Sequence, residues 1–375
     1  FRLLCRKYGS NLAWTPMIHC KCFQEKEVYR KKFFNLVKGT PQQDRPLIAQ
    51  LCGSDLELVL KTAKQLEPFV DGIDLNCGCP QSIAKRGNYG AFLLEQPHVL
   101  LPLVQSLVTA VHLPISVKVR ILPTGIHDSL QLYQQLVHAG ISLLSIHGRN
   151  RLQKGPLTGQ ADWSIVQKAV TAFPTIPILA NGSMSNLQEI RACLEYTKCD
   201  GVMCSEALLE YPPVYLESIS SSSSSPQHER IGPGRLQICQ EYLQLAQEYP
   251  PNVGGQGSGI KCLKAHVHRF LHKDLQIYTE IRNGVCASTT LEDLMRVVQE
   301  LEILHQRDNH QVKDEQLSWY VRHGVKEEME RKKLKAYKLE LQKKQEDAPS
   351  LVECRDEGAE LGCAMFEEQD DHGDY

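Results

Sequence analysis

The chain has 375 residues, 42% hydrophobic and 23% charged, with a formal charge of −2, enough for one large domain with a smaller companion and a sizeable core. Its longest apolar runs fall short of the roughly 18 residues a membrane helix needs, so no membrane span is expected. Fourteen cysteines are too dilute for a disulfide scaffold and no secretory signal is visible, which points to reduced thiols in the cytoplasm and/or nucleus.

The chain opens on Phe1 with no initiator Met and no basic leader, and it reads as a chain lacking its natural start. Charge is uneven along it. Residues 346–375 carry eleven Asp or Glu against one Arg, a net −10 that leaves +8 on the rest. A basic body suits a polyanionic partner without establishing one. Cys20-Lys21-Cys22 and Cys77-Gly78-Cys79 have one-residue gaps, unlike the roughly two to four usual for zinc, and no metal is predicted.

The opening FRLLCRKYG has a helical pattern. Apolar, β-branched runs then alternate with amphipathic stretches, giving candidate strands at 12–18, 46–51, 72–76, 115–121, 143–147, 178–181 and 201–205. Ser54–Phe69 and Asp128–His138 are two of the intervening helical patterns. Strand starts spaced by roughly 25 to 40 residues are the signature of βα units in a parallel sheet. Seven strands are countable, and the first helix would partner an absent strand. The predicted fold is therefore an α/β (β/α)8 TIM barrel with its first strand missing, over residues 1–217. A doubly wound open sheet is the alternative, disfavoured because no G-x-G-x-x-G follows any candidate strand.

Barrel chemistry gathers at the carboxyl ends of the strands. Those ends carry Gln50, Asn76 to Cys79, Lys118 and Arg120, His147 and Arg149, Asn181-Gly182, and Ser205-Glu206. In SVKVR the period of two sets Lys118 and Arg120 opposite the valines, facing the barrel mouth. A lysine held there requires an anionic or electron-rich partner. Gly78 permits a tight turn and Pro80 fixes it, so the corner can hold the Cys79 thiol in place.

Residues 218–235, rich in serine, read as a linker. A smaller all-helical domain is predicted over 236–310, and a charged tail over 311–375, with a helix at 326–344 and a disordered acidic end. In KCLKAHVHRFLHKDLQIYTEIRNG the apolar Leu263, Val267, Phe270, Leu271 and Leu275 recur at helical spacing. Lys264, His266, His268, Arg269, His272 and Lys273 flank them. That flank reads equally as a solvated face or as a surface for nucleic-acid phosphates.

LIAQLCG (47–53), DGIDLNCGCPQSIAKRGNYGAFL (71–93), SVKVR (116–120), SIHGR (145–149), ANGSM (180–184) and DGVM (200–203) occur in one order. Together they resemble the dihydrouridine synthases, flavoenzymes that reduce uridines in tRNA. TPMIH at 15–19, with FRLLCRKYG before it, is most similar to the eukaryotic branch acting on the D-loop. The resemblance implies FMN as cofactor, NADPH or NADH as electron donor and tRNA as partner, in a monomer. It implies hydride transfer from flavin N5 to C6 of uracil, with a proton delivered to C5. Cys79, matching the family's asparagine-x-glycine-cysteine-proline motif, is the implied general acid; a thiol with a pKa of about 8.5 is protonated at neutral pH yet able to release its proton. Cys77 is read as a packing residue.

By the same resemblance Gln50 hydrogen-bonds the flavin ring and Asn76 bridges flavin and uracil. Lys118 sits near N1 and O2 of the reduced flavin, and His147 meets the ring or the ribityl chain. The loops at Asn181, Gly182 and Ser183 and at Ser205 and Glu206 would hold the phosphate. Ser205-Glu206-Ala207 departs from the family pattern, where the resemblance leads one to expect Gly-Arg in bacterial members or a Glu-Gly pair in eukaryotic ones. Ala207 in place of glycine would restrict that loop. Lys85 and Arg149 would receive the phosphate and ribose of a flipped uridine. Family members carry an Ala-Pro-Met segment on their first strand, and without it the barrel would expose a sheet edge. Two other readings stand beside this one: a tRNA-binding protein impaired in catalysis by that missing strand, and an FMN barrel that reduces a small pyrimidine.

Overall fold

In the computed structural model of the protein, residues 1–38, 42–155, 158–216, 233–250 and 259–308 are described. The predicted helix at 326–344, the acidic tail and all but the end of the Ser-rich linker lie outside them. Among the described residues no helix is long and apolar enough to cross a membrane.

Helix and strand alternate in chain order. Helix α1 (Arg2–Lys7) precedes β1 (Ala13–Trp14), β2 (Ile18–His19), α2 (Cys20–Glu25), α3 (Glu27–Lys38), β3 (Leu47–Cys52) and α4 (Leu56–Leu66). Then come β4 (Gly72–Cys77), α5 (Ser82–Arg86), α6 (Ala91–Leu94), α7 (Pro97–Ala110), β5 (Ile115–Ile121) and α8 (Ile126–His138). The unit closes with β6 (Leu143–Asn150), α9 (Ser164–Ala172), β7 (Ile178–Asn181), α10 (Leu187–Thr197), β8 (Gly201–Met203) and α11 (Glu206–Glu210). All strand pairs are parallel, in the order β1-β3-β4-β5-β6-β7-β8, with β2 also beside β3. Among the described residues, eight short strands thus fill seven positions of a curled parallel sheet ringed by helices, consistent with the predicted (β/α)8 barrel.

The strand expected at 12–18 is broken in two. Thr15 still donates its N–H to Ile48 O at 2.9 Å, but Pro16 has no N–H to give and interrupts the ladder before Ile18 resumes it beside Leu51. The last strand also stops early, at Met203, so Ser205 and Glu206 belong to the start of α11.

The sequence alternation has a direct structural consequence. On β5 the side chains of Ile115, Val117, Val119 and Ile121 are buried against the surrounding helices, which turns Ser116, Lys118 and Arg120 inward. The outer layer joins Leu51, Leu75, Val117 and Ile146 to Val59, Leu66, Leu107, Leu136 and Ile165 in one core. Burying each such side chain contributes about 1.5–3 kcal/mol. Helices start where side chains satisfy their first N–H groups: Asp55 accepts from Leu58 N at 2.9 Å and Asn186 from Glu189 N at 2.9 Å.

A second core belongs to α12 (Arg235–Glu248), α13 (Ile260–Phe270), α14 (His272–Ile277), α15 (Thr279–Ala287) and α16 (Leu291–Asp308). It contains Ile238, Tyr242, Leu243, Leu263, Val267, Phe270, Val285, Leu294 and Leu301, and also Leu4 and Tyr8 of the α1 region. The opening helix, expected to cover a barrel strand, thus lends its apolar face to the helical domain. Its polar side holds the sheet: Arg2 and Arg6 both bond Asp44 just before β3.

The two cores are bolted together by a buried ion pair. Arg235 of α12 lies 3.2 Å from Glu210 of α11, and the two side chains are 2% and 0% exposed. Its guanidinium also donates to the carbonyls of Glu210 and Phe270 at 3.3 and 3.4 Å and sits 5.6 Å from the Tyr211 ring centre.

Candidate active site

The carboxyl ends of the strands bring most of the predicted residues to one place. In register, Gln50 lies opposite Asp74, Asn76 opposite Lys118, Arg120 opposite His147, and His147 opposite Asn181. Side chains then knit neighbouring strands. Lys118 Nζ donates to Asn181 Oδ1 at 3.0 Å, and Asn181 Nδ2 donates to Met203 O at 2.7 Å.

The corner after β4 is built around Asn76. Its Oδ1 accepts the backbone N–H groups of Gly78 and Cys79 at 3.0 and 2.9 Å, an Asx turn that closes the corner. Arg120 Nε donates to Gly78 O at 2.7 Å, and Lys154 Nζ donates to Pro80 O at 3.1 Å. Gly90 follows with φ +62°, and a Cβ there would lie 2.6 Å from Cys79 O. Cys79 remains partly exposed at the rim, whereas Cys77 is fully buried, as a packing role requires. Burial pushes the Cys79 thiol above its ordinary pKa, against the pull of the Gln81 backbone and the charges of Arg120, Lys118 and Lys154. The thiol is therefore protonated near neutral pH and sits in the field of the Lys118 side.

That mouth is rich in cations. Burial, reinforced by Arg120, lowers Lys118 to about 8; burial and then Arg149 lower Arg120 to about 10. The carboxylate among them is Asp74, fully buried and raised by that burial. His147 is held well below its ordinary value by burial and by Arg120, Lys118 and Arg149. Arg149 Nη1 lies 3.1 Å from His147 Nε2. A guanidinium only donates, so Nε2 is the acceptor and the ring is neutral with its proton on Nδ1. Three cations around one carboxylate in a poorly solvated mouth favour an anionic ligand.

Arg149 was expected beside Lys85, toward the RNA. It is instead buried, donating to Gly159 O at 2.9 Å and to Ser183 Oγ at 3.0 Å as well as to His147. It thus joins the loop predicted for a cofactor phosphate. Gly182 in that loop has φ +105°, and a Cβ would come within 2.9 Å of His147 Cδ2. Its carbonyl accepts from Trp163 Nε1 at 3.0 Å. Ser183 Oγ accepts from Ala161 N at 2.7 Å. Lys85 lies exposed on α5, outside the bonded cluster. Ser205 is exposed and precedes α11, and Glu206 opens that helix. Ala207 is buried inside the same helix.

The sequence reading leaves Asp74 and Ser116 out of the site and gives Arg120 a place at the mouth but no role. Their signal was present, since each shares the inward face with Asn76 or Lys118 by the period of two. Part of the basic flank after residue 260 is structural. His266 is sandwiched with Phe1 at 4.7 Å and bonds Tyr242 Oη at 2.5 Å; burial lowers it to about 3. Lys264 Nζ reaches the carbonyls of Cys286 and Ser288 at the end of α15, a cation at a helix C-terminus. Among the described residues no cluster of His, Cys, Asp or Glu suits a metal.

Comparison with known proteins adds relatives to this geometry. The family model described as "Dihydrouridine synthase (Dus)" matches residues 1–299. The tRNA-dihydrouridine(16/17) synthase (NAD(P)(+)) of Schizosaccharomyces pombe is 36% identical over 294 residues, covering 78% of this chain and 71% of that protein. The similarly named "-like" protein of Mus musculus is 34% identical over 308 residues, covering 82% and 60%. The Saccharomyces cerevisiae tRNA-dihydrouridine(16/17) synthase is 34% identical over 284 residues, covering 76% and 64%. The chain thus spans 60% to 71% of the length of these relatives.

Proposed function

As the chain belongs to the dihydrouridine synthase family, we propose that it reduces uridine to 5,6-dihydrouridine in the D-loop of tRNA, using bound FMN and electrons from NADPH or NADH. The observation that carries this reading is the meeting, at one end of one sheet, of a protonated thiol with the Lys118, Arg120 and Arg149 cations. The names of the relatives support tRNA as substrate and NAD(P) as electron carrier.

The residues present suit FMN. Gln50 and Asn76 each keep one amide N–H beyond those already bonded, which fits carbonyl oxygens on a flavin or uracil ring. Arg149, Ser183 and the glycine backbone at Gly182, with φ +105°, suit the phosphate, and Lys118 suits negative charge on the ring. FMN in its reduced form would supply the hydride for C6 of uracil.

The chain's own part is the proton. Cys79 Sγ gives its proton to C5 as C6 gains hydride, so the pair adds two hydrogens across one double bond. The resulting thiolate is stabilised by Arg120, Lys118 and Lys154, the charges that act on Cys79 in the free protein. Asn76, which holds the Cys79 backbone, orients that thiol. Lys85 on the exposed face of α5 is suited to RNA phosphate.

The test is Cys79→Ala. Purified wild-type protein is expected to carry flavin absorbance and to form dihydrouridine in tRNA. The variant is expected to keep flavin and tRNA binding and lose product formation by at least about a hundredfold. Undiminished dihydrouridine from Cys79→Ala would remove the thiol from the chemistry.

A further inference from the structure

The carboxyl of Asp74, fully buried beneath the mouth, is the far end of a continuous row of hydrogen bonds. Asp74 Oδ2 accepts from Gln50 Nε2 at 2.8 Å, and Gln50 Oε1 accepts from Asn76 Nδ2 at 2.9 Å. Asn76 Oδ1 then accepts from Gly78 N and Cys79 N. Ser116 Oγ donates to the other carboxyl oxygen at 2.6 Å.

The sense of this row is dictated from both ends. Backbone N–H groups can only donate, so the atom of Asn76 facing Gly78 and Cys79 must be oxygen. Its amide nitrogen therefore faces Gln50, which must answer with oxygen. Gln50 then turns its own nitrogen to Asp74, which must accept. Reversing either amide would set two donors or two acceptors face to face and leave buried polar groups unmatched. An amide alone has no preferred sense, because its two ends are nearly the same size. Asp74 is the acceptor that supplies the preference at the buried end.

We propose that Asp74 is a positioning residue: by fixing the sense of the Gln50 and Asn76 amides, it holds the Cys79 corner closed and leaves N–H donors, rather than carbonyls, to the ligand. This rests on the reading of Cys79 as proton donor and adds what orders it. The ligand side follows from the same row. Asn76 Oδ1 is filled by two donors, while the Gln50 and Asn76 nitrogens each retain one N–H. A ring edge bearing carbonyl oxygens, as in uracil or the flavin pyrimidine, satisfies those donors; an exocyclic amine, as in cytosine, does not.

The test is amide hydrogen exchange on the protein without RNA. In Asp74→Ala the Gly78 and Cys79 amides are expected to exchange about tenfold faster or more, with those of Val117 to Arg120 unchanged. In Asp74→Asn, whose carbonyl oxygen can still face Gln50 while its amide meets Ser116 Oγ, exchange is expected within about twofold of wild type. With saturating flavin, Asp74→Ala should lower kcat for dihydrouridine formation while the KM for tRNA holds. Should Asp74→Ala fail to fold, Gln50→Met cuts the same row one link on and must expose the same two amides. Unchanged Gly78 and Cys79 exchange in the cut row overturns the proposal, as does Asp74→Asn behaving like Asp74→Ala, or equal loosening of β5. Exposure of the two amides together with full activity in Cys79→Ala would leave the row standing and sink only the role of the thiol.

Discussion

Replacing Lys118 by methionine should make the ligand-free protein more stable and the cofactor-loaded protein weaker. Burial, then Arg120, lowers Lys118 to about 8 in the fold, against about 10.4 in an unfolded chain. A lysine with a lower folded pKa opposes folding wherever the unfolded chain binds the proton more readily. The penalty is full below about pH 8 and fades as pH rises toward about 10.4. At 1.36 kcal/mol per unit it is about 3 kcal/mol near pH 7 and about 2 kcal/mol near pH 9. Loss of the 3.0 Å bond to Asn181 returns about 1 kcal/mol. Lys118→Met should therefore gain about 2 kcal/mol near pH 7 and about 1 kcal/mol near pH 9, measured by urea unfolding of flavin-free protein. Flavin titration should find binding weakened by about tenfold or more, since the lost cation faces an anionic ligand. A variant less stable than wild type near pH 7, or a gap that stays constant up to pH 9, would refute the claim that Lys118 is a desolvated cation held for a ligand.

Two further substitutions probe the frame of the site. Glu210→Gln removes the countercharge that lies 3.2 Å from Arg235 in a site where the pair is 2% and 0% exposed; chemical denaturation should register a loss of about 3–5 kcal/mol. Gly182→Ala would press a methyl to 2.9 Å from His147 at φ +105°. It should cost about 1–3 kcal/mol in thermal or urea unfolding and reduce flavin binding in direct titration.

The relation between sequence and structure differs from residue to residue. Val117 and Val119 alternate with Lys118 and Arg120, and that period of two follows from the geometry of an extended chain. Local covalent geometry therefore made the parallel βα succession legible, along with Gln50, Asn76, Lys118, His147 and Asn181 at the strand ends. The Asn76-to-Pro80 corner was equally legible, since a short polar side chain and a proline set a turn over a few residues.

Partnership between distant segments was another matter. Arg149 reads as an RNA contact in SIHGR, yet the path of the following loop and the register of β6 on β7 bring it to Ser183 and His147. Asp74 reads as one more acid in a strand until β3 and β5 supply Gln50 and Ser116 on either side. His266 counts as basic in the sequence, but Phe1 and Tyr242 enclose it and burial keeps it neutral. Alternation decides which face a side chain takes; only strand register, loop path and the exclusion of water decide which group it meets and what charge it bears.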